Sequence, residues 1–366
     1  MEPVQEIKLS EVINVGRAEE IVAWLGQAPD PDRRVLLDLS QCRLIEVGAG
    51  VLLGNALRRH AQLQLLEVVV PPPGDFSKSW FTAFSRSGLG LALASHARNI
   101  RTPMGVDVTE SVVHYYESRF QQESQNVIVV RDLHRGYAIN VNSIDHFTPR
   151  FHRWLPRVNV APGTLDEGEL ATLVGLCFEA IQNVYDHADR APLAQGCTIF
   201  SCFAMRYYRK ISAPAKSGLP LRVYLERLKS SISSEEQGPA FLELVVNDDG
   251  VGIAARQNQY AGVYWADFEA ERFAVAEALK PGTSIKLQAA DSPIRGDPGF
   301  GSVVVLKAIE TLKAFAELRT GRVRAFMDGA DPSAEGFELD QGAHGYLPGT
   351  FFHIVVPLRQ AQLKLL

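Results

Sequence analysis

The segment GELATLVGLCFEAIQNVYDHADR (168–190) combines an apolar stripe with side chains that could do chemistry. At 100° per residue, one side of a helix here is apolar and comprises Leu173, Cys177, Ala180, Ile181 and Val184. The opposite side carries Glu179, Asn183, Asp186 and His187. Such a helix would present a carboxylate, Glu179, and an amide, Asn183, one turn apart. A solvated polar face is the alternative interpretation.

A second segment, LELVVNDDGVGI (242–253), runs from a buried strand into a turn. Gly250 and Gly252 stand at alternate positions, where glycines let the backbone turn sharply and approach a ligand closely. Asp248 could accept hydrogen bonds from an exocyclic amine at the floor of a pocket. The alternative is an ordinary turn at a strand end, since Asp-Gly pairs are frequent in turns.

A third segment, RGDPGFGSVVVLKAI (295–309), predicts a glycine loop that ends where a helix begins. The loop would contain Gly296, Gly299 and Gly301. Successive N–H groups at the amino terminus of a helix can bind an anion. The sequence has no G-x-x-x-x-G-K-[ST] motif, which excludes a P-loop.

The order of these segments resembles the GHKL ATPase superfamily, whose members include gyrase, MutL, heat-shock chaperones, histidine kinases and anti-sigma-factor serine kinases. A fourth segment, GTFFHIVVP (349–357), resembles the closing strand of that family. The resemblance covers about 190 residues. It implies an ATP-binding domain of Bergerat type, a two-layer α/β sandwich that takes ATP and Mg²⁺.

The resemblance also implies a role for each matching position. Asn183 would ligate Mg²⁺, and Asp248 would accept a hydrogen bond from the adenine amino group. Thr350 would support Asp248 near the base. The glycines would lie beside the base and sugar (Gly250, Gly252) or form a lid over the triphosphate (Gly296, Gly299, Gly301). Glu179 would act as a general base, and the sequence does not distinguish a water from a protein hydroxyl as acceptor.

Two functions follow from the resemblance. The first is a partner-switching regulator with slow ATP hydrolysis or anti-sigma-type serine/threonine phosphoryl transfer. The second is a non-catalytic, ATP-gated switch or scaffold for a protein partner. A histidine kinase is disfavoured, because His60 and His114 are followed by Ala61 and Tyr115 rather than an acidic residue. We expect no transducer domain of the topoisomerase type after Pro357. Relatives are often homodimers, but no interface is recognisable in the sequence.

The first 100 residues alternate strand and helix signals, which predicts a small α/β domain with a mostly parallel sheet. Strands are expected at 34–39 and 66–70, and helices at 47–60 and within 76–98. The segment DLSQCRLIEVGAGVLLGNAL (38–57) resembles the STAS family of anti-sigma-factor antagonists. The loop at Ile45–Gly50 has no hydroxyl, so the phosphoacceptor of that family is missing.

The remaining residues complete a three-part organisation. Residues 101–160 are expected to be a connector of unknown role, with a helix at 108–120 and a strand at 127–130. Within it, TPRFHRWLPRVNVAPG (148–163) reads as a proline- and aromatic-rich linking segment. Residues 161–366 would form the ATP-binding domain. An insertion near 206–240 would be a hairpin or a partner-binding element.

Composition limits the class of protein. Hydrophobic residues make up 46% of the 366 residues and charged residues 22%, which excludes a disordered or fibrous chain. The net charge of -5 gives no sign of a nucleic-acid partner. No secretory signal or membrane-spanning run is evident, so a cytoplasmic location without membrane contact is expected. The four cysteines lack metal-site spacing and are expected to be buried thiols.

Overall fold

Two separate units make up the chain in the computed structural model, and each is a mixed α/β structure. One consists of Met1–Val129 with Ser212–Pro214, the other of Val130–Ile211 with Ala215–Leu366. The described residues are 5–8, 12–26, 35–63, 66–70, 99–110, 127–131, 133, 143–188, 201–209, 211, 220–231, 240–250, 252–254, 267–280 and 300–358. None of the helices among them is both long and apolar enough to cross a membrane. The boundaries expected near residues 100 and 160 stay predictions.

The first unit contains short, buried parallel strands. Its elements are β1 (Gln5–Lys8), β2 (Val12–Ile13), α1 (Val15–Gly26), β3 (Val35–Asp38), β4 (Leu44–Ile45), α2 (Val47–Leu63), β5 (Leu66–Val69) and β6 (Asn99–Arg101). Four strands form a sheet in the order β1-β3-β5-β6, with every pair parallel. Strands β2 and β4 form a second parallel pair, and α1 packs against α2.

The apolar runs of the first unit fold as the sequence predicts. The strands at 34–39 and 66–70 and the helix at 47–60 are confirmed as β3, β5 and α2. Leu37 and Val68 are fully buried, as expected for strands inside a parallel sheet. The loop that the STAS resemblance implies at Ile45–Gly50 overlaps this helix, and residues 47–50 form the first turn of α2. The helices expected at 76–98 and after Glu110 lie outside the described residues.

The second unit is built on a seven-stranded sheet, whose edge strand at Val127–Arg131 spans the boundary between the two units at residue 129. Its elements are β7 (Val127–Arg131), α3 (Ile144–Arg157), α4 (Glu167–Ala188), β8 (Ser201–Tyr208), α5 (Pro220–Ser231), β9 (Ala240–Asp248), α6 (Phe268–Leu279), α7 (Phe300–Thr311), β10 (Phe315–Gly321), β11 (Val323–Asp328), β12 (Glu338–Leu339) and β13 (Leu347–Leu358). The strand order is β12-β11-β10-β13-β9-β8-β7. Every pair from β12 through to β8 is antiparallel. The strands predicted at 127–130, 242–246 and 349–357 are confirmed.

Helix α3 covers residues 148–157 of the segment that the sequence predicts to be a connector. It runs from Ile144 to Arg157 and contains two prolines, Pro149 and Pro156, the second of them in the last turn. Its buried aromatic side chains, Phe147, Phe151 and Trp154, recur at helical spacing. The Phe147 ring lies 5.8 Å from Phe178 of α4, and Trp154 stacks on Phe203 of β8 at 5.6 Å. This segment therefore supplies part of the unit's core.

Helix α5 is the described part of the insertion expected near 206–240. The hydroxyl of Tyr224 donates a hydrogen bond to the Lys313 carbonyl at 2.9 Å, and its ring lies 5.5 Å from Phe315. Phe315 and Phe203 lie on opposite faces of the sheet, because the register aligns Phe203 with Leu318 through Val246 and Phe352. The described insertion is thus a helix rather than a hairpin, and it covers the face opposite α3.

Candidate functional site

A row of polar side chains crosses four neighbouring strands at one end of the larger sheet. Asp248, the last residue of β9, pairs directly with Ser201 on β8 and with Thr350 on β13. Thr350 in turn pairs with Thr320 on β10. Residues directly opposite one another project to the same face of a sheet. The row therefore places one carboxylate between hydroxyl groups on a single face.

Burial controls the ionisation of Asp248. The residue is only 6% exposed, and burial raises the pKa of its carboxyl group to about 7. Hydrogen bonds from the Gly250 N–H, and from the backbone and hydroxyl of Thr350, act in the opposite direction, while the charge of Asp249 adds to the rise. The predicted support of Asp248 by Thr350 agrees with this contact. A donor that approached Asp248 would further favour the ionised form.

The turn after Asp248 requires glycine at position 252, one of the two predicted positions. The Gly250 N–H donates to Asp248 Oδ1 at 2.9 Å, which closes a tight turn. Gly252 has φ +81°, and a Cβ atom there would lie 2.6 Å from Thr320 Oγ1. The Ile253 N–H donates to that same oxygen at 2.9 Å. Any side chain at 252 would thus displace either the turn or the neighbouring strand.

Gly349 brings β13 against the same turn. It has φ +71°, and a Cβ atom at this position would lie 2.6 Å from the carbonyl carbon of Asp248. The sequence segment GTFFHIVVP contained this glycine without revealing its contact. Thr320 and Ser201 were missed altogether, because only strand register shows that they align with Asp248. The Thr-Gly pair at 320–321 was the one available sign of a turn beside the site.

Helix α4 carries the second group of predicted residues. Its expected apolar stripe is confirmed as buried, with Leu173, Cys177, Ala180, Ile181 and Val184 all at most 6% exposed. Glu179 is partly buried and Asn183 is exposed, while Asp186 is buried despite its place on the polar side. The helix packs against α7 and β9. Glu179 and Asn183 therefore share a helix that rests on the strand ending in Asp248.

The predicted phosphate loop is only partly described. A helix follows the glycine segment as expected, but it begins at Phe300, so Gly301 is the second residue of α7 and not part of the loop in which it was predicted. Gly296 and Gly299 lie outside the described residues. Because α7 packs against α4, the helix that follows the glycine loop adjoins the helix that carries Glu179 and Asn183.

The described residues contain no cluster of three or more histidine, cysteine or acidic side chains that could hold a metal ion. Cys42, Cys177 and Cys202 are buried and form no disulfide bond. Burial raises the pKa of Cys42 to about 12 and that of Cys177 higher still, so both remain thiols at neutral pH.

Comparisons with family models, with curated proteins and with solved structures find no match to this chain. The support for a function therefore comes from the residues themselves and from the geometry of the Asp248 row.

Proposed function

We propose that this chain is an ATP-binding regulatory protein of the GHKL superfamily. In this proposal residues 161–366 form the two-layer ATP-binding domain and residues 1–100 a STAS-like domain. The observation that carries it is Asp248: a buried carboxylate at a strand end, flanked by hydroxyls and followed by a turn that only glycine fits. That combination suits a flat base with an amino group.

The amino group of adenine would give the Asp248 carboxylate a further hydrogen-bond donor, in addition to the Gly250 N–H and Thr350. An ionised carboxylate in this environment is costly because it has left water, and the amino group of adenine offers a hydrogen bond that recovers part of that cost. Gly250 and Gly252 leave no side chain between the backbone and an incoming base or sugar. The hydroxyl of Thr350 holds the carboxylate in place from β13.

Asn183 would hold Mg²⁺ with the phosphates. Magnesium takes oxygen ligands and keeps several waters, so a single amide oxygen from the protein suffices when phosphates supply the others. The donor set fits this arrangement, since Asn183 is exposed on α4 and the described residues offer no cluster that would bind the metal alone. The ion supplies charge neutralisation at the phosphates.

Glu179 would orient the attacking oxygen. It lies one helical turn before Asn183 on α4, so both side chains project from the same side of the helix. Its carboxylate is partly buried, which suits a group that accepts a proton from water or from a protein hydroxyl. The activity proposed is slow ATP hydrolysis or serine/threonine phosphoryl transfer that switches a regulatory protein partner.

Replacement of Asp248 tests the site. Asp248→Asn keeps the shape of the side chain but presents an amide, whose NH₂ group opposes the amino group of adenine. We expect the variant to lose Mg·ATP binding in isothermal calorimetry, whereas wild type and the exposed control Asp145→Asn bind. Undiminished binding by Asp248→Asn would remove Asp248 from the site.

A further inference from the structure

A buried carboxylate from α6 holds the turn that joins β10 to β11. Glu271 is 4% exposed. Its Oε1 accepts a hydrogen bond from the Arg322 backbone N–H at 2.9 Å, and its Oε2 accepts one from the Arg322 Nε–H at 2.7 Å. One carboxylate thus binds both the main chain and the side chain of a single turn residue. Such charge-assisted bonds are among the stronger ones in proteins.

The held turn is tight. Thr320 and Val323 pair directly, so Gly321 and Arg322 are its two central residues. Gly321 has φ +56°, and a Cβ atom there would collide with Glu271 Oε1. A two-residue hairpin turn with positive φ at its first central residue favours glycine. The Glu271 carboxylate therefore packs directly on the turn backbone.

The turn adjoins the candidate site through Thr320. The Oγ1 atom of Thr320 accepts the hydrogen bond from the Ile253 N–H and defines the space beside Gly252. Thr320 also pairs with Thr350, which contacts Asp248. A shift of Thr320 would consequently move the turn that follows Asp248.

Helix α6 is a firm support for Glu271. Asp267 caps its amino terminus, accepting a hydrogen bond from the Ala270 N–H at 2.8 Å. The Arg322 guanidinium carbon lies 5.9 Å from the centre of the Phe268 ring, so α6 contacts the turn through a second residue. Val275 of the same helix is fully buried.

We propose that Glu271 is a positioning residue for the base end of the site. Through Arg322 and Thr320 it holds Gly252 and Ile253 in the conformation that lets the glycine backbone approach a ligand. The identity of that ligand as ATP rests on the proposed function. Displacement of α6 would therefore loosen the site from a distance, without any change in a residue that touches the nucleotide.

We call the path from Glu271 through Arg322 and Thr320 to Ile253 the relay. Hydrogen exchange in the ligand-free full chain tests this relay directly. Glu271→Gln removes the charge, and Thr320→Val removes the acceptor with little change of shape, whereas Thr320→Ser retains the acceptor. We expect amides of residues 248–254 to exchange about tenfold faster in Glu271→Gln and Thr320→Val, but not in Thr320→Ser. Glu269→Gln, on the same helix and 68% exposed, is the matched control. Unchanged exchange in both Glu271→Gln and Thr320→Val would overturn the relay.

Binding of Mg·ATP, measured at a temperature at which every variant is folded, tests what the relay does. We expect about tenfold weaker binding in Glu271→Gln and Thr320→Val and near wild-type binding in Thr320→Ser and Glu269→Gln. Fast exchange with unchanged affinity in Glu271→Gln would overturn the positioning role. If wild type itself fails to bind ATP, the proposed function fails, while the exchange measurement still decides the relay.

Discussion

At the scale of single residues, Asp248 is placed where a carboxylate is costly unless something binds it. Its neighbours reduce that cost only in part, since the Gly250 N–H and Thr350 stabilise the charge while burial opposes it. A carboxyl group whose pKa is raised in this way gains or loses its proton near neutral pH. Groups with such shifted pKa values concentrate at functional sites. Because its pKa differs between the folded and the unfolded protein, the protonation of Asp248 can be followed through the pH dependence of the free energy of unfolding.

The raised pKa of Asp248 predicts a pH dependence of folding in the absence of ligand. Between about pH 4 and pH 7 the unfolded chain releases this proton while the folded protein keeps it, so the free energy of unfolding falls as pH rises. Asp248→Asn lacks this proton. We expect the difference in free energy of unfolding, wild type minus Asp248→Asn, to fall by a few kcal/mol between these two pH values, because each unit of pKa difference corresponds to about 1.4 kcal/mol.

Urea unfolding of both proteins at a series of pH values measures this difference. A difference that stays flat or rises with pH would show that Asp248 is already ionised in the folded protein at acid pH. Saturating Mg·ATP should flatten the profile, because a bound amino group stabilises the ionised form.

Glu179 provides a second prediction for a single residue. Glu179→Ala should retain Mg·ATP binding but lose turnover by about a hundredfold or more, the contribution typical of a general base. Phosphate release and label transfer from γ-labelled ATP are the measurements, with exposed Glu167→Ala on the same helix as the control. Wild-type turnover in Glu179→Ala would exclude it as the base. Absence of any turnover in wild type would favour the ATP-gated switch.

At the scale of elements, the burial of aromatic side chains stabilises helix α3 by more than its two prolines destabilise it. A proline inside a helix removes one backbone hydrogen bond, but Phe147, Phe151 and Trp154 bury large rings on one stripe. The contacts with Phe178 and Phe203 tie α3 to α4 and to β8, the neighbour of the strand that ends in Asp248. The helix therefore supports the element that carries Glu179 and Asn183 and the strand next to the one that carries Asp248.

Removal of the Trp154 ring should measure how much α3 contributes to the stability of the unit. We expect Trp154→Ala to lower the free energy of unfolding by about 3–5 kcal/mol, the usual cost of truncating a buried aromatic residue. The exposed Ile144→Ala on the same helix should change it by less than about 0.5 kcal/mol. Circular dichroism during urea unfolding provides the comparison. A small effect of Trp154→Ala would show that α3 is dispensable for the unit.

At the scale of the whole molecule, the net charge of -5 bears on how an anion could bind. A negatively charged protein repels a free nucleotide, so the phosphates need a counter-ion and backbone N–H groups rather than a basic surface. Among the described residues no cluster binds a metal ion by itself. Metal and nucleotide are therefore expected to bind together.

Removal of Mg²⁺ tests this interdependence. With excess EDTA we expect the affinity for ATP to fall at least about tenfold, since the phosphate charge is then uncompensated. Asn183→Ala should weaken binding in the presence of Mg²⁺ and respond less to EDTA than wild type does. Calorimetry with and without the metal supplies both comparisons. Equal affinity in EDTA would contradict a metal-bridged site.

The local pattern of residues was sufficient to predict the elements that carry the candidate site. The apolar stripe of α4, the buried run of β9 and the glycines after Asp248 each follow from the spacing of side chains along one segment. Such patterns are legible because a helix or strand buries one set of its own side chains. Helix α3 was not predicted, because its two prolines are typical of a linking segment.

Tertiary structure alone decided which distant residues meet. Ser201 and Thr320 align with Asp248 only through strand register, which depends on pairing across the whole sheet, whereas the contact of Thr350 was expected from the family resemblance. The contact of Glu271 with Arg322 joins a helix to a turn far along the chain. No spacing within one segment encodes these meetings, because the packing of complete elements brings the residues together. The sequence thus predicts a carboxylate at the end of a buried strand, and only the fold shows which residues surround it.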